Sequence, residues 1–345
     1  MKKEPKSLFE YYEFTSKDLK KYPTISRILR ELTEERIRKE IKIIQKTRLS
    51  LRLQKWIKEY EKVGKRNDFI WKWLYRMFKV VHLPGVPLKY QNTLAETKVL
   101  LTLFIVLLDD TADKFQKTSF LEKLLKISSS TSVKFQNCSS KEREYFNFVF
   151  RLWKYIKKEI KNYPNYKLIK NIFSYDLAQV LNSIKYSCII NKNPFLINKA
   201  EFWQFLPYNM VSFVYSDLDL MCFSKLSYQE IGRIREIVYY AQKMARIGNW
   251  ISTWEREICE NDFTGGIFAY ALSENIITIK ELKKKNKLEI VQKVKKAKIE
   301  KKLLIEWEKF FLKIKAVKGF NADKKDFLKS LKKLLIFHLI SKGLK

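Results

Sequence analysis

Glycine and proline are scarce in this chain of 345 residues, at 8 and 7. That excludes a collagen-like chain and argues against sandwiches and propellers, which need frequent turns. Histidine occurs twice, as His82 and His338, so a His-rich zinc or non-haem iron site is excluded. The four cysteines, Cys138, Cys188, Cys222 and Cys259, lie far apart with no CxxC. Neither a disulfide framework nor a zinc ribbon follows, and a reducing compartment fits best. Long apolar runs are missing as well. The longest, residues 99–108, is ten residues counting Thr102, against about 20 for a membrane span. Met1-Lys2-Lys3-Glu4-Pro5 has no apolar core of a signal peptide. The expectation is a soluble, cytoplasmic protein with no transmembrane segment, with transient contact at a membrane surface left open.

What the chain has in excess is positive charge. Lys+Arg total 70 against 37 Asp+Glu, a net +33 that would attract nucleic acid or an anionic surface. Lysine outnumbers arginine by 56 to 14, whereas base-reading surfaces rely on bidentate Arg. The chain is also rich in Ile, Asn, Phe and Tyr, whose codons are A/T-rich, so base composition accounts for much of the lysine. Solvated lysine faces, and no specific nucleic-acid partner, are the expected reading. At 46% hydrophobic the chain can bury a sizeable core.

Apolar residues recur at helical spacing almost everywhere, and clear β alternation appears nowhere. Residues 23–64 hold an apolar face without Gly or Pro between Pro23 and Gly64. A helix is expected over 67–81, a turn at 82–87, and a long helix over 94–115. The Ser/Thr-rich residues 127–140 read as a loop. Helices are expected over 141–162, 168–185 and 226–260, with a break at Pro207 inside 202–219. Three more amphipathic helices fill 278 to the end. No linker divides the chain, so one all-α domain over 1–345 is expected, with 1–24 as a flexible start.

Two constellations carry chemistry. Asp109-Asp110-x-x-Asp113 places three carboxylates at the C-terminal end of an apolar helix. Asp109 and Asp113 are i and i+4 and project from one face. Like charges there repel, and the macrodipole adds to the cost. A divalent cation held between them relieves both, and oxygen ligands point to Mg²⁺ or Mn²⁺. The second constellation is Asn249, Thr253 and Glu257, spaced i, i+4, i+8. At about 100° per residue they drift only about 80°, forming a column of oxygen donors. Arg246 and Arg256 flank that column, as a phosphate ester would require. A polar helix end, or an exposed polar stripe, is the alternative for either motif taken alone.

Together the motifs resemble those of class I terpene synthases (terpene cyclases), in particular the microbial type with a single α domain. The resemblance covers most of the chain and is weakest over the first 60 or so residues. It implies a helical bundle around a central apolar cavity. It implies that Asp109 and Asp113, supported by Asp110, hold two Mg²⁺ and that Asn249, Thr253 and Glu257 hold a third. Arg246 and Arg256 match family positions that bind diphosphate. The implied reaction is ionisation of a C15, C20 or C25 prenyl diphosphate, release of pyrophosphate and cyclisation of the cation. A homodimer is compatible with it. Leu101, Thr102, Ile105 and Val106 on the first helix, and Val238, Ala241 and Ala245 on the second, are candidate cavity walls. Trp203, Phe205, Tyr208 and Phe337 are candidate aromatic contributors, set against ordinary core packing.

The resemblance has gaps. Many microbial cyclases carry a diphosphate-sensing Arg several dozen residues before the Asn of the second motif. Around Pro207, 42 residues before Asn249, no Arg occurs. Either Lys199 or another cation substitutes, or triggering works differently. The C-terminal Arg-Tyr pair is also missing. Asp217-Leu218-Asp219 is not the DxDD of class II cyclases, and those two Asp read as helix surface or supporting residues. A prenyl-coupling enzyme of the squalene or phytoene synthase type would show a second aspartate-rich motif, which is absent. A basic helical protein binding nucleic acid or anionic lipid without catalysis is the non-enzyme alternative.

Overall fold

A computed structural model describes residues 6–112, 118–129, 138–283, 286–318 and 324–344. Among them no strand forms, and a single isolated bridge joins Ser7 to Thr33. The chain opens with α1 (Leu8–Tyr11), α2 (Ser16–Lys21), α3 (Pro23–Glu31), α4 (Glu34–Gln45) and α5 (Leu51–Tyr60). Residues 6–24, expected as a flexible start, form α1 and α2 and are tied to later helices. Lys301 pairs with Asp18 at 2.8 Å, and Leu8 N–H donates to the Leu32 carbonyl at 3.0 Å. The stretch without Gly or Pro is divided by capping instead. The hydroxyls of Thr33 and Ser50 accept from the N–H groups of Arg36 and Leu53, each at 3.3 Å. Such side chains start a new helix where periodicity alone suggests continuity.

Next come α6 (Asp68–Phe78) and α7 (Leu88–Asp110), separated by the expected turn. Pro87 sets the start of α7 six residues earlier than the apolar pattern suggests. By length and composition α7 could cross a membrane, yet 67% of its apolar window is buried inside the bundle. A helix apolar all round belongs in a core. α8 (Thr118–Leu125) and α9 (Ser140–Ile160) follow, the latter opened by a capping box between Ser139 and Glu142. Residues 130–137, most of the expected loop, lie outside the described residues. α10 (Tyr166–Lys192) and α11 (Lys199–Phe205) lead to the break at Pro207. There residues 206–210 tighten into a 3₁₀ turn and Val211 adopts φ +59° before α12 (Ser212–Cys222).

The long α13 (Tyr228–Cys259) packs against both of the last two long helices. The chain ends with α14 (Gly266–Ser273), α15 (Ile279–Leu282), α16 (Leu288–Lys296), α17 (Ile299–Ala316) and α18 (Lys324–Ile340). From 278 on, the described residues thus form four helices where three were expected. Glu308, fully buried on α17, accepts from the N–H groups of Thr24 at 3.2 Å and Ile25 at 2.6 Å. A carboxylate on the first turn of α3 satisfies orphan donors and the helix dipole together.

α18 lies close on α13 because of Gly248. A Cβ there would sit 2.8–2.9 Å from ring carbons of His338, whose ring packs at 5.2 Å on Trp73. Gly248→Ala is therefore expected to cost about 1–3 kcal/mol by overpacking. Chemical denaturation of the purified variant measures it, and an unchanged midpoint would show that α18 yields freely.

Candidate active site

α6, α7, α12, α13 and α18 surround a cavity of about 250 Å³. From α7 it receives Thr102, Ile105, Val106 and Asp109, one face of the helix. From α13 it receives Val238, Ala241, Ala245, Arg246, Asn249, Thr253, Arg256 and Glu257. The two motifs, 140 residues apart in sequence, thus open onto one space. Their polar ends share its mouth, with aliphatic residues below.

Asp109 accepts a hydrogen bond from the Asn209 amide at 3.0 Å. Burial raises its carboxyl above the usual range, and the nearby charges of Asp262 and Asp110 add to this. Asp110, one residue on, turns about 100° away and does not line the cavity. It grips Arg66 at 2.7 Å instead, and Arg66 does line it. Asp113 lies outside the described residues.

On α13, Arg246 donates to the Asn249 amide oxygen at 2.9 Å and to the Thr264 carbonyl at 3.4 Å. The Thr253 hydroxyl donates to the Asn249 carbonyl at 2.8 Å, leaving its lone pairs free to accept. Glu257 is buried, and its Oε2 has no hydrogen-bond partner among the described residues. Burial first, then the charge of Asp262, pushes its carboxyl up to about 7 against the pull of Arg246 and Arg256. Gly265 keeps the space beside that oxygen open, since a Cβ there would come within 3.1 Å of it. Asp262 is held by the Thr264 N–H at 3.0 Å, the Thr264 hydroxyl at 2.8 Å and Asn191 at 3.2 Å. Arg256 pairs with Glu260 one turn on. The Nε of Arg246 and of Arg256 are both buried without a hydrogen-bond partner.

Among the described residues no three His, Cys, Asp or Glu side chains gather as a metal-binding group. The donor set is mixed: two carboxylates, an amide oxygen and a hydroxyl. All are hard oxygen donors, and one is a buried orphan. That chemistry fits Mg²⁺ or Mn²⁺ better than a softer ion.

Several expected wall residues lie elsewhere. Leu101 is wholly buried in the core, one position away from Thr102, whose hydroxyl meets the Tyr215 hydroxyl at 2.6 Å. Trp203 packs on Trp250 and Phe310 and donates to the Tyr270 hydroxyl at 3.2 Å. Phe205 is partly exposed against Tyr186, and Tyr208 stacks on Phe213. Phe337 meets the edge of Trp73, while its neighbour His338 faces the cavity. The aromatic wall is instead Trp73, Phe78, Tyr215 and Phe327. Lys199 lies over the Tyr270 ring at 5.0 Å, away from the cavity, so the extra cation at the mouth is Arg66.

Asp217 and Asp219 are not on the surface. They are 1% and 2% exposed, because α12 is itself central. Asp219 pairs with the equally buried Lys98 at 2.6 Å in the cavity wall and accepts the Leu83 N–H at 2.9 Å. Asp217 lies 3.8 Å from Arg235, which holds Asp176 through two hydrogen bonds of 2.5 and 2.9 Å. Arg66, Asn209, Asp262 and the Lys98–Asp219 pair were not identifiable as site residues from spacing. Only the helix break at Pro207 pointed toward Asn209.

The described residues form an all-α fold around this cavity, and its match to the solved structures below is that of a class I terpenoid synthase fold. No protein-family model matches the chain, and no curated protein matches it in sequence. Solved structures do match. Isoprene synthase from grey poplar leaves (Populus x canescens), in complex with three Mg²⁺ ions and dimethylallyl-S-thiolodiphosphate, aligns with a TM-score of 0.59 at 14% identity. A second structure of the same enzyme aligns with a TM-score of 0.59 at 13% identity. Each alignment covers 96% of this chain and 58% of the poplar chain.

Proposed function

We propose that this protein is a class I terpene synthase that ionises a linear C15, C20 or C25 prenyl diphosphate, releases pyrophosphate and cyclises the resulting cation. The observation that carries this is the convergence of Asp109 with Asn249, Thr253 and Glu257 at one mouth, above an apolar wall. The poplar enzyme's three Mg²⁺ and diphosphate analogue support the same reading.

Asp109, with Asp113, would hold Mg²⁺ on the α7 side, and Asn249, Thr253 and Glu257 on the α13 side. Bound Mg²⁺ supplies Lewis-acid stabilisation of charge developing on the leaving diphosphate. Arg246 and Arg256, each with an unpaired Nε–H, bind and orient that diphosphate. Asp110 acts through Arg66, fixing a further cation at the mouth. Ile105, Val106, Val238 and Ala241 hold the hydrocarbon and exclude water. Trp73, an aromatic residue of the wall, would stabilise positive charge on the hydrocarbon.

Incubating the protein with each prenyl diphosphate tests this. Pyrophosphate release that requires Mg²⁺, stops with EDTA and yields a cyclic hydrocarbon or alcohol by gas chromatography is the expected result. Release that ignores EDTA would falsify the metal assignment.

A further inference from the structure

The segment joining α10 to α11 is an apolar tip in a lysine frame. In Lys192-Asn193-Pro194-Phe195-Leu196-Ile197-Asn198-Lys199, Phe195 is 65% exposed and Leu196 38%. Ile189 on the last turns of α10 is 41% exposed, and Phe205 at the end of α11 is 36%. Single exposed apolar side chains are ordinary, but Phe195 and Leu196 adjoin in the chain and Phe205 meets Tyr186 at 4.9 Å, one turn before Ile189, which draws the two ends of the segment together. Lys185, Ile189 and Lys192 share one face of α10 by their i, i+4, i+7 spacing. Two carboxylates are close by. Glu122 pairs with Lys185 at 2.6 Å, and Glu201 accepts from the Tyr186 hydroxyl and from Asn198, each at 2.9 Å.

The segment touches the cavity lining through one buried contact. Asn191, two residues after Ile189, holds Asp262 at 3.2 Å and accepts the Phe263 N–H at 2.8 Å, and Asp262 lines the cavity. The Lys192 ammonium reaches the Thr118 hydroxyl at the start of α8, the next helix after α7.

The charge decides what covers this patch. A second copy would bring another chain of +33 against the same lysines. An anionic bilayer meets both features at once, with lysines on the headgroups and Phe195 and Leu196 among the acyl chains just below. We propose that the tip over residues 189–205 docks the protein onto anionic lipid. Docking goes beyond the enzymatic reading and does not depend on it. If that reading also holds, a substrate with one anionic and one greasy end would enter from the membrane.

The test is co-sedimentation of the full chain with phosphatidylcholine vesicles, with and without phosphatidylserine. Binding is expected only with phosphatidylserine and should fall steeply as salt rises. The Phe195→Ser/Leu196→Ser variant changes exposed side chains alone, and circular dichroism checks that it is folded. It is expected to bind at least about tenfold more weakly, the loss of roughly two buried apolar side chains. Lys192→Glu/Lys199→Glu should weaken binding by at least about 25-fold, given roughly fivefold per lysine lost. No binding of the unaltered protein to either vesicle would overturn the proposal. So would a serine variant that binds as well as the unaltered protein, which would mean diffuse lysine attraction. A serine variant that turns a dimer into a monomer in sedimentation velocity, with vesicle binding unchanged, would overturn it in favour of a second copy.

Discussion

Asp109→Ala and Asn249→Ala should each lower Mg²⁺-dependent pyrophosphate release by at least about a hundredfold, the scale on which a single preorganised group aimed at developing charge acts. Asp109 is the described carboxylate that α7 turns into the cavity, and Asp110 cannot replace it because it is committed to Arg66. Asn249 holds the head of the α13 column, where its amide oxygen already accepts from Arg246 at 2.9 Å. Stability should change little by comparison. Asp109→Ala removes one hydrogen bond, from Asn209, and relieves a buried carboxyl that burial already disfavours. Circular dichroism melts run beside the pyrophosphate assay separate the two effects. A folded Asp109→Ala protein with full activity would show that the α7 carboxylate binds nothing needed for ionisation.

The largest expected loss of stability lies deeper, at the Lys98–Asp219 pair. Lys98 is 1% exposed, Asp219 is 2% exposed, and they meet at 2.6 Å. Asp219→Ala strands an ammonium inside the cavity wall and leaves the Leu83 N–H without its acceptor. Breaking a buried pair from one side costs about 3–5 kcal/mol, a large share of the roughly 5–15 kcal/mol that holds a domain together. The double variant Lys98→Met/Asp219→Leu removes both charges and should recover most of that loss, since an apolar pair of similar volume avoids desolvation altogether. Urea denaturation of both single variants and the double variant forms the cycle. If Asp219→Ala and the double variant lose the same stability, the ion pair is not what matters at that site.

Burial raises the Asp219 carboxyl even though Lys98 opposes the shift. If the proposed reaction holds, removing the pair from the wall should also alter the product pattern in the chromatograms that test it.

The sequence made some features legible and hid others for specific reasons. The helix break at Pro207, the turn over 82–87 and the long helix through Arg246 and Glu257 follow from local chemistry, and all three form. The divisions at Thr33 and Ser50 were missed because a capping hydroxyl competes with helix continuation without interrupting the apolar pattern. The aromatic wall is not legible in the sequence for another reason. Trp203 and Trp73 are equally apolar, and only the rotation of α6 about its axis turns Trp73 inward. For Asp217 and Asp219 the sequence leaves helix surface and a supporting role open, with surface favoured because carboxylates usually are exposed, and their burial excludes the surface. Their partners, Arg235 and Lys98, lie on helices remote in sequence.

Spacing along the chain settles anything that depends on one helix. Asn249, Thr253 and Glu257 align because successive turns repeat, and Asp109 parts from Asp110 for the same reason. Packing settles everything that depends on two. That the columns of α7 and α13 open onto one cavity, that Arg66 and Asn209 join them, and that Lys98 meets Asp219 all follow from crossing angles and axial rotations. Those are set by interlocking side chains distant in sequence, and a periodic pattern carries no record of them.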